Sequence, residues 1–141
     1  MKKFVYLCVA LVAALVMASC AEKKSVDVLG GEWRVVSVGE MAVPDSVDAF
    51  LGFNIADQQV YGSTGCNLLT GTLPSEVDTA TPLFATLGST RKQCADMSVE
   101  DALLPALARV VDFAVDGATL RLLDTDGTTV ATLYKHYISF V

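Results

Sequence analysis

From Gly30 onward the chain is cut into short segments by turn residues, and this punctuation excludes most folds before any side-chain chemistry is considered. Closely spaced reversals join antiparallel neighbours, because a parallel pair needs a long crossover. Glu32 to Val38 alternates polar and apolar residues, which predicts a strand with Trp33, Val35 and Ser37 on one face. Gly39-Glu40 turns it into Met41 to Val43. Phe50 to Ile55 and Gln59 to Ser63 read as a pair around Ala56-Asp57-Gln58, with Leu68 to Leu73 and Leu83 to Leu87 as further strands. Pro74 to Pro82, rich in Pro, Ser, Thr and Asp, has the composition of an exposed loop. Asp112 to Val115, Thr119 to Leu123 and Thr129 to Tyr137 close the series, the last two joined by a hairpin whose Gly127 suits positive φ.

One segment breaks the β pattern. Val99, Leu103, Leu107 and Val110 recur at three- and four-residue intervals, the spacing of a helical stripe. Ser98 is a candidate N-cap, and Glu100 and Asp101 suit the positive end of the helix dipole. Pro105 falls inside the pattern and removes a backbone donor, so a kink or a later helix start is expected.

The N-terminus carries a separate signal. Lys2 and Lys3 precede an apolar run from Phe4 to Val16, and Met17-Ala18-Ser19 leads into Cys20, the order of a bacterial lipoprotein signal. The reading is a signal peptide at 1–19, a mature chain acylated on Cys20, a tether at 20–29 and a folded domain at 30–141. An uncleaved transmembrane anchor is the alternative, since no charge interrupts Phe4 to Ala21 and about 18 apolar residues can just span a bilayer. Either way the domain lies outside the cytoplasm and is tied to a membrane. All 16 acidic residues follow Cys20, whereas two of the 10 basic ones precede it, so the mature chain sets eight basic residues against sixteen acidic. Such a surface repels phosphate backbones, which argues against a nucleic-acid partner.

Loss of Cys8 with the signal and acylation of Cys20 leave Cys66 and Cys94 as an even pair in an oxidising compartment, where a disulfide is expected. Closing that loop contributes on the order of 3 to 4 kcal/mol in the chain-entropy account. A redox-active dithiol is the competing reading, but Cys-x-x-Cys spacing is lacking. Around Cys66 lies the densest local signal, Tyr61-Gly62-Ser63-Thr64-Gly65-Cys66-Asn67, in which Gly62 and Gly65 permit a tight corner and Asn67 can bond nearby main chain. A phosphate cradle would need a Gly-Lys-Ser/Thr ending and a following helix.

These motifs resemble the META/HslJ domain family of small envelope proteins, over nearly all of Gly30 to Tyr137. Gly62 to Gly71 is similar to its Gly-x-x-x-Cys-Asn-x-x-x-Gly element, and Ser89 to Cys94 to its Thr-Arg/Lys-x-x-Cys element ahead of the helix. The Trp33 strand resembles its first strand, and Thr119 to Leu122 with Leu133 to Lys135 resemble its closing strands. The resemblance implies a mainly β (α+β) fold, a curled antiparallel sheet or partial barrel packed with one α-helix. It implies roles at the cell envelope in stress or drug tolerance, in some lineages in secretion, and no established enzymatic activity.

The residue inventory agrees with a noncatalytic reading. His136 is the chain's one histidine and sits near the C-terminus, Ser63 and Ser89 lack a visible base, and Asp124 with Asp126 is too short a run for a calcium loop. Neither a metal site nor a cofactor is expected. Asn67, Arg91 and Lys92 are the candidate binding residues beside the expected disulfide. The leading expectation is a noncatalytic membrane-anchored envelope lipoprotein, held at the periplasmic face of an outer membrane by the lipid on Cys20 and meeting an envelope protein or lipid partner. The alternative is a lipid- or protein-tail carrier resembling a secretion pilotin, which requires an apolar groove between the helix stripe and the strands.

Overall fold

The computed structural model describes residues Lys23 to His136. The leader, its cleavage point and the acylation site at Cys20 lie outside the described residues.

Alternating side chains build β1 (Gly31–Val38), β2 (Met41–Ala42), β3 (Ala49–Asn54), β4 (Gln59–Thr64), β5 (Leu68–Thr72) and β6 (Gly88–Ser89), followed by helix α1 (Ser98–Ala108) and by β7 (Asp112–Asp116), β8 (Thr119–Leu123) and β9 (Thr129–Lys135). Every pairing is antiparallel, in the order β6-β5-β4-β3-β1-β9-β8-β7, with β2 added beside β1. The sheet is therefore open, with β6 and β7 as its two edges, and it curls around α1, which touches β1, β4 and β9. The mainly β class with one helix is the observed one.

Val99, Leu103 and Leu107 of the helix stripe are buried with Val110 against Trp33, Val35, Leu51, Val60, Leu120 and Leu133 of the strands. Burial of each such side chain contributes roughly 1.5 to 3 kcal/mol. Ser98 is the first helical residue rather than the cap: the Asp96 carboxylate accepts its N–H at 2.9 Å and takes over the capping role. Bonds from the Ser98 hydroxyl and main chain hold the Asp96 carboxyl below its usual range. The later helix start expected from Pro105 does not occur, and the helix runs through it. Pro105 and Asp101, whose carbonyl loses its partner four residues on, are both exposed, where water can serve instead.

Three further expectations are corrected. On β1 the inward residues are Trp33, Val35 and Val38, not Ser37, because a register shift between Val35 and Ser37 against β9 inserts one residue and changes the facing of the rest of the strand. Leu83 to Leu87 is not a strand. It is a turn that drops Leu83 and Phe84 into the core, with the Leu83 N–H bonded to the Val110 carbonyl at 2.7 Å, and the sheet resumes at Gly88.

The third concerns the expected tether. Its described part is a strap fixed to the domain: Val26 and Leu29 are fully buried, and Asp27–Leu29 forms a 3-10 turn. Val26 donates to the Ser75 carbonyl at 3.2 Å and Val77 to the Lys24 carbonyl at 2.8 Å. The Trp33 indole N–H closes on the Leu29 carbonyl at 2.8 Å. Lys24 lies 4.4 Å over the Phe113 ring, pairs with Asp112 at 3.2 Å and donates to the Phe113 carbonyl, while the Phe113 N–H donates to Asp112 at 2.7 Å. The polar flavour of Glu22 to Ser25 hides two apolar plugs three residues apart, and these plugs decide the matter.

Candidate functional site

The corner after β4 carries the densest set of side-chain hydrogen bonds among the described residues. Gly65 has φ +91°, a left-handed conformation in which a side chain is strained, and a Cβ there would also strike Val47. Gly62 serves differently from its expected turn role: it is an in-register strand residue whose missing Cβ leaves room for the Phe50 carbonyl oxygen of β3. The reversal brings Cys66 against Cys94, and the expected disulfide is present, with an S–S distance of 2.06 Å and a Cα–Cα distance of 6.0 Å.

Beneath it lie the three buried polar residues found among the described residues, Thr64, Asn67 and Glu100. Glu100 is 7% exposed, and one of its carboxylate oxygens accepts from both the Thr64 hydroxyl and the Asn67 amide, each at 2.7 Å. The Thr64 hydroxyl oxygen in turn accepts the N–H groups of Cys66 at 3.2 Å and Asn67 at 2.9 Å. The Asn67 amide also donates to the Lys92 carbonyl at 3.0 Å, and its oxygen accepts from the Lys92 N–H at 2.6 Å and the Thr90 hydroxyl at 2.9 Å. With two donors and two acceptor positions in use, Asn67 has nothing left for a ligand. Its expected place beside Arg91 and Lys92 as a binding residue is thus corrected: it pins the Ser89 to Cys94 segment to the corner.

In the sequence Glu100 is legible only as a favourable charge in the first helical turn. Its spacing of three and seven residues from Leu103 and Leu107 places it on the buried stripe. An acid at a stripe position is the signal for a buried partner. Arg91 and Lys92 are exposed at the rim of the corner, and neither forms an ion pair among the described residues.

Two depressions flank this region. One, of 380 Å³, lies between the Pro82 to Ser89 segment and the outer side of α1, lined by Phe84, Leu87, Leu104 and Ala108. It does not open onto Val99, Leu103 or Leu107 of the helix stripe, which are buried in the core. The other, of 200 Å³, is lined by Glu32, Arg34, Asp48, Phe50 and His136 on the outer side of the sheet. Arg34 reaches away to the Asp45 carbonyl at 2.9 Å, and the Tyr61 hydroxyl donates to Glu32 at 3.2 Å. Burial, followed by the Glu32 charge and that hydrogen bond, pushes the Tyr61 phenol upward. Asp124 accepts the N–H groups of Asp126 and Thr128 at 2.9 and 3.0 Å, which assigns it to shaping the hairpin turn.

A curled antiparallel sheet around one helix, with a Cys-Asn corner bonded to a second cysteine segment ahead of that helix, is the arrangement on which family comparison bears directly. The model of the META domain matches residues 26–137. The chain belongs to the META domain family. That match begins at Val26, inside the strap, in accord with the strap being part of the META domain. Among solved structures, the META domain is similar to a protein from Burkholderia xenovorans determined by NMR, with 21% identity, TM-score 0.60, and coverage of 82% of this chain and 92% of that one. It is also similar to a crystal structure of a DUF4847 family protein from Bacteroides vulgatus, with 15% identity, TM-score 0.53, and coverage of 79% and 96%. At these identities the likeness is one of fold. No curated protein matches.

Proposed function

We propose that this protein is a noncatalytic lipoprotein that holds a META domain at the cell envelope, on the periplasmic face of an outer membrane, and supports envelope integrity or stress and drug tolerance. The observation that carries the noncatalytic part is the closed hydrogen-bonding of Thr64, Asn67 and Glu100. The buried carboxylate, the group best suited to acid–base chemistry, has its donors supplied from inside the fold, by the residues on either side of the disulfide-bonded Cys66. The Lys2-Lys3, apolar and Cys20 order supports the anchored part.

The test is metabolic labelling with palmitate, comparing the parent with Cys20→Ala, followed by challenge of a deletion strain with detergent and envelope-directed antibiotics. Label on the parent alone, with tolerance restored by the parent and not by Cys20→Ala, is the expected result. An unlabelled parent, or equal tolerance with and without the protein, would remove the proposal.

A further inference from the structure

We propose that the outer face of the sheet, over β1, β3 and β9, is a binding site for an uncharged oligosaccharide, with the Tyr61 ring as its stacking platform. The inference goes beyond the anchored reading and does not depend on it.

The strand register assembles this face. Arg34 is paired with Tyr134 on β9 and with Phe50 on β3, while Glu32 lies opposite Gly52, itself opposite Tyr61 on β4. His136, two residues beyond Tyr134, donates its main-chain N–H to the Glu32 carbonyl at 3.0 Å. Of the four large hydrophobic side chains exposed among the described residues, Tyr61, Leu68 and Tyr134 belong to this one face.

Glycine at position 52 makes the platform flat. A Cβ there would strike Cζ and both Cε atoms of Tyr61, so the ring reaches over β3 and lies face-down on the bare backbone. Its hydroxyl donates to Glu32 on β1 at 3.2 Å, which holds it in that pose. Phe50 stands beside it as a wall, with ring centroids 6.3 Å apart and planes at 76°. Tyr61 is still 38% exposed, and the side turned to solvent carries the negative face of the ring quadrupole. The C–H groups on one face of a pyranose ring match it in shape and polarity.

Polar groups beside the platform select the ligand's charge. The 200 Å³ depression at Phe50 gathers the Glu32 and Asp48 carboxylates as acceptors, the Arg34 guanidinium as donor and the ring nitrogens of His136. Arg34 commits Nη2 to the Asp45 and Val47 carbonyls at 2.9 and 3.4 Å, while Nε and Nη1 carry no hydrogen bond among the described residues. A cation would meet the guanidinium, and an anion would meet two carboxylates on a chain of net charge -6. Hydroxyl groups both donate and accept, so they satisfy either sign. Tyr134 stands two strands beyond β3, about 10 Å away, so a ligand that touches both aromatics has more than one ring.

The experiment titrates the full chain, labelled with nitrogen-15 and held in an uncharged polyoxyethylene detergent that carries no sugar. The probes are the neutral trisaccharides of glucose, mannose, galactose and N-acetylglucosamine, with the glucosamine and galacturonate trimers as cationic and anionic counterparts. At least one neutral trimer is expected to shift the amide signals of Glu32, Phe50 and Tyr61 with a Kd of about 1 mM or below, and the charged trimers to bind about tenfold more weakly. Tyr61→Ser should weaken binding on the order of tenfold, whereas Tyr61→Phe, which keeps the ring, and Leu68→Ser, on the same face but off the platform, should stay within about threefold. Phe50→Leu, which removes the wall and keeps an apolar side chain, is the second variant should Tyr61→Ser fail to fold. No response to any neutral trimer at about 10 mM, tighter binding of a charged trimer, or unchanged binding by both variants would overturn the proposal. If the same amides move only with protein concentration, or only on removal of residues 137–141, the face belongs to a second copy or to the chain's own C-terminal segment, and the proposal falls.

Discussion

Replacing Glu100 by Ala removes the acceptor shared by the Thr64 hydroxyl and the Asn67 amide without touching the disulfide above them. Each bond to a carboxylate contributes about 1.5 to 3 kcal/mol, and part of that is returned because the carboxylate no longer has to be kept out of water. Thr64 can turn its proton toward the Asn67 carbonyl, now 3.4 Å away, which softens the loss on one side. The Asn67 amide has no such substitute at its 2.7 Å position. The net expectation is about 3 kcal/mol, a large share of the stability of a small domain. For a domain of this size it lowers the Tm by roughly 12 °C. Glu100→Gln keeps an oxygen acceptor and loses the charge, so about 1 kcal/mol is expected. The assay is urea unfolding of the oxidised protein, followed by the fluorescence of Trp33, which is the chain's one tryptophan and is buried. A double-mutant cycle with Thr64→Val should show coupling of at least about 0.5 kcal/mol. A Glu100→Ala protein within about 0.5 kcal/mol of the parent, with no such coupling, would mean that the buried network does not hold the corner.

Reduction of Cys66–Cys94 is expected to cost about 3 kcal/mol while the fold persists, because Asn67 still ties the corner to Thr90 and Lys92; urea midpoints with and without reductant check this. Gly62→Ala drives a methyl group into the Phe50 carbonyl and should lower stability by about 3 kcal/mol or leave the protein insoluble, whereas the exposed Leu68→Ser should stay within about 0.5 kcal/mol. Tyr61 has its phenol raised above the ordinary value of 10.0, so the folded state holds that proton more tightly than the unfolded chain. Its stabilisation is complete below pH 10 and is lost as pH rises through the folded-state value; Tyr61→Phe should flatten that alkaline fall in a pH series of unfolding midpoints.

The strands are legible in the sequence because their two causes, period-two side chains and turn chemistry, are both local. β3, β4, β7, β8 and β9 fall within a residue or two of where the alternation and turns place them, and the Cys66–Cys94 pairing follows from counting the thiols left over in the compartment that the N-terminal signal leads one to expect. The features that escape such reading depend on distant partners. The extra residue in β1 exists only opposite β9, so Glu32 to Val38 alone assigns Ser37 inward. Leu83 and Phe84 are apolar because they plug the core from a turn, and a short apolar run looks the same whether it extends or folds back. Asn67 and Glu100 are visible separately, as a corner residue and a helix-end charge. Their meeting needs thirty-odd residues of intervening fold, and that meeting converts a candidate binding residue into a structural one.

The clasp of Lys24 and Asp112 on β7 has a further consequence for neighbouring copies. β7 is an open margin of the sheet, and such margins recruit foreign strands through unspent main-chain groups. At Phe113 both groups are already spent, the N–H on Asp112 and the carbonyl on Lys24. Molecules crowded side by side would have to tear open an ion pair before they could stitch their sheets into a fibre.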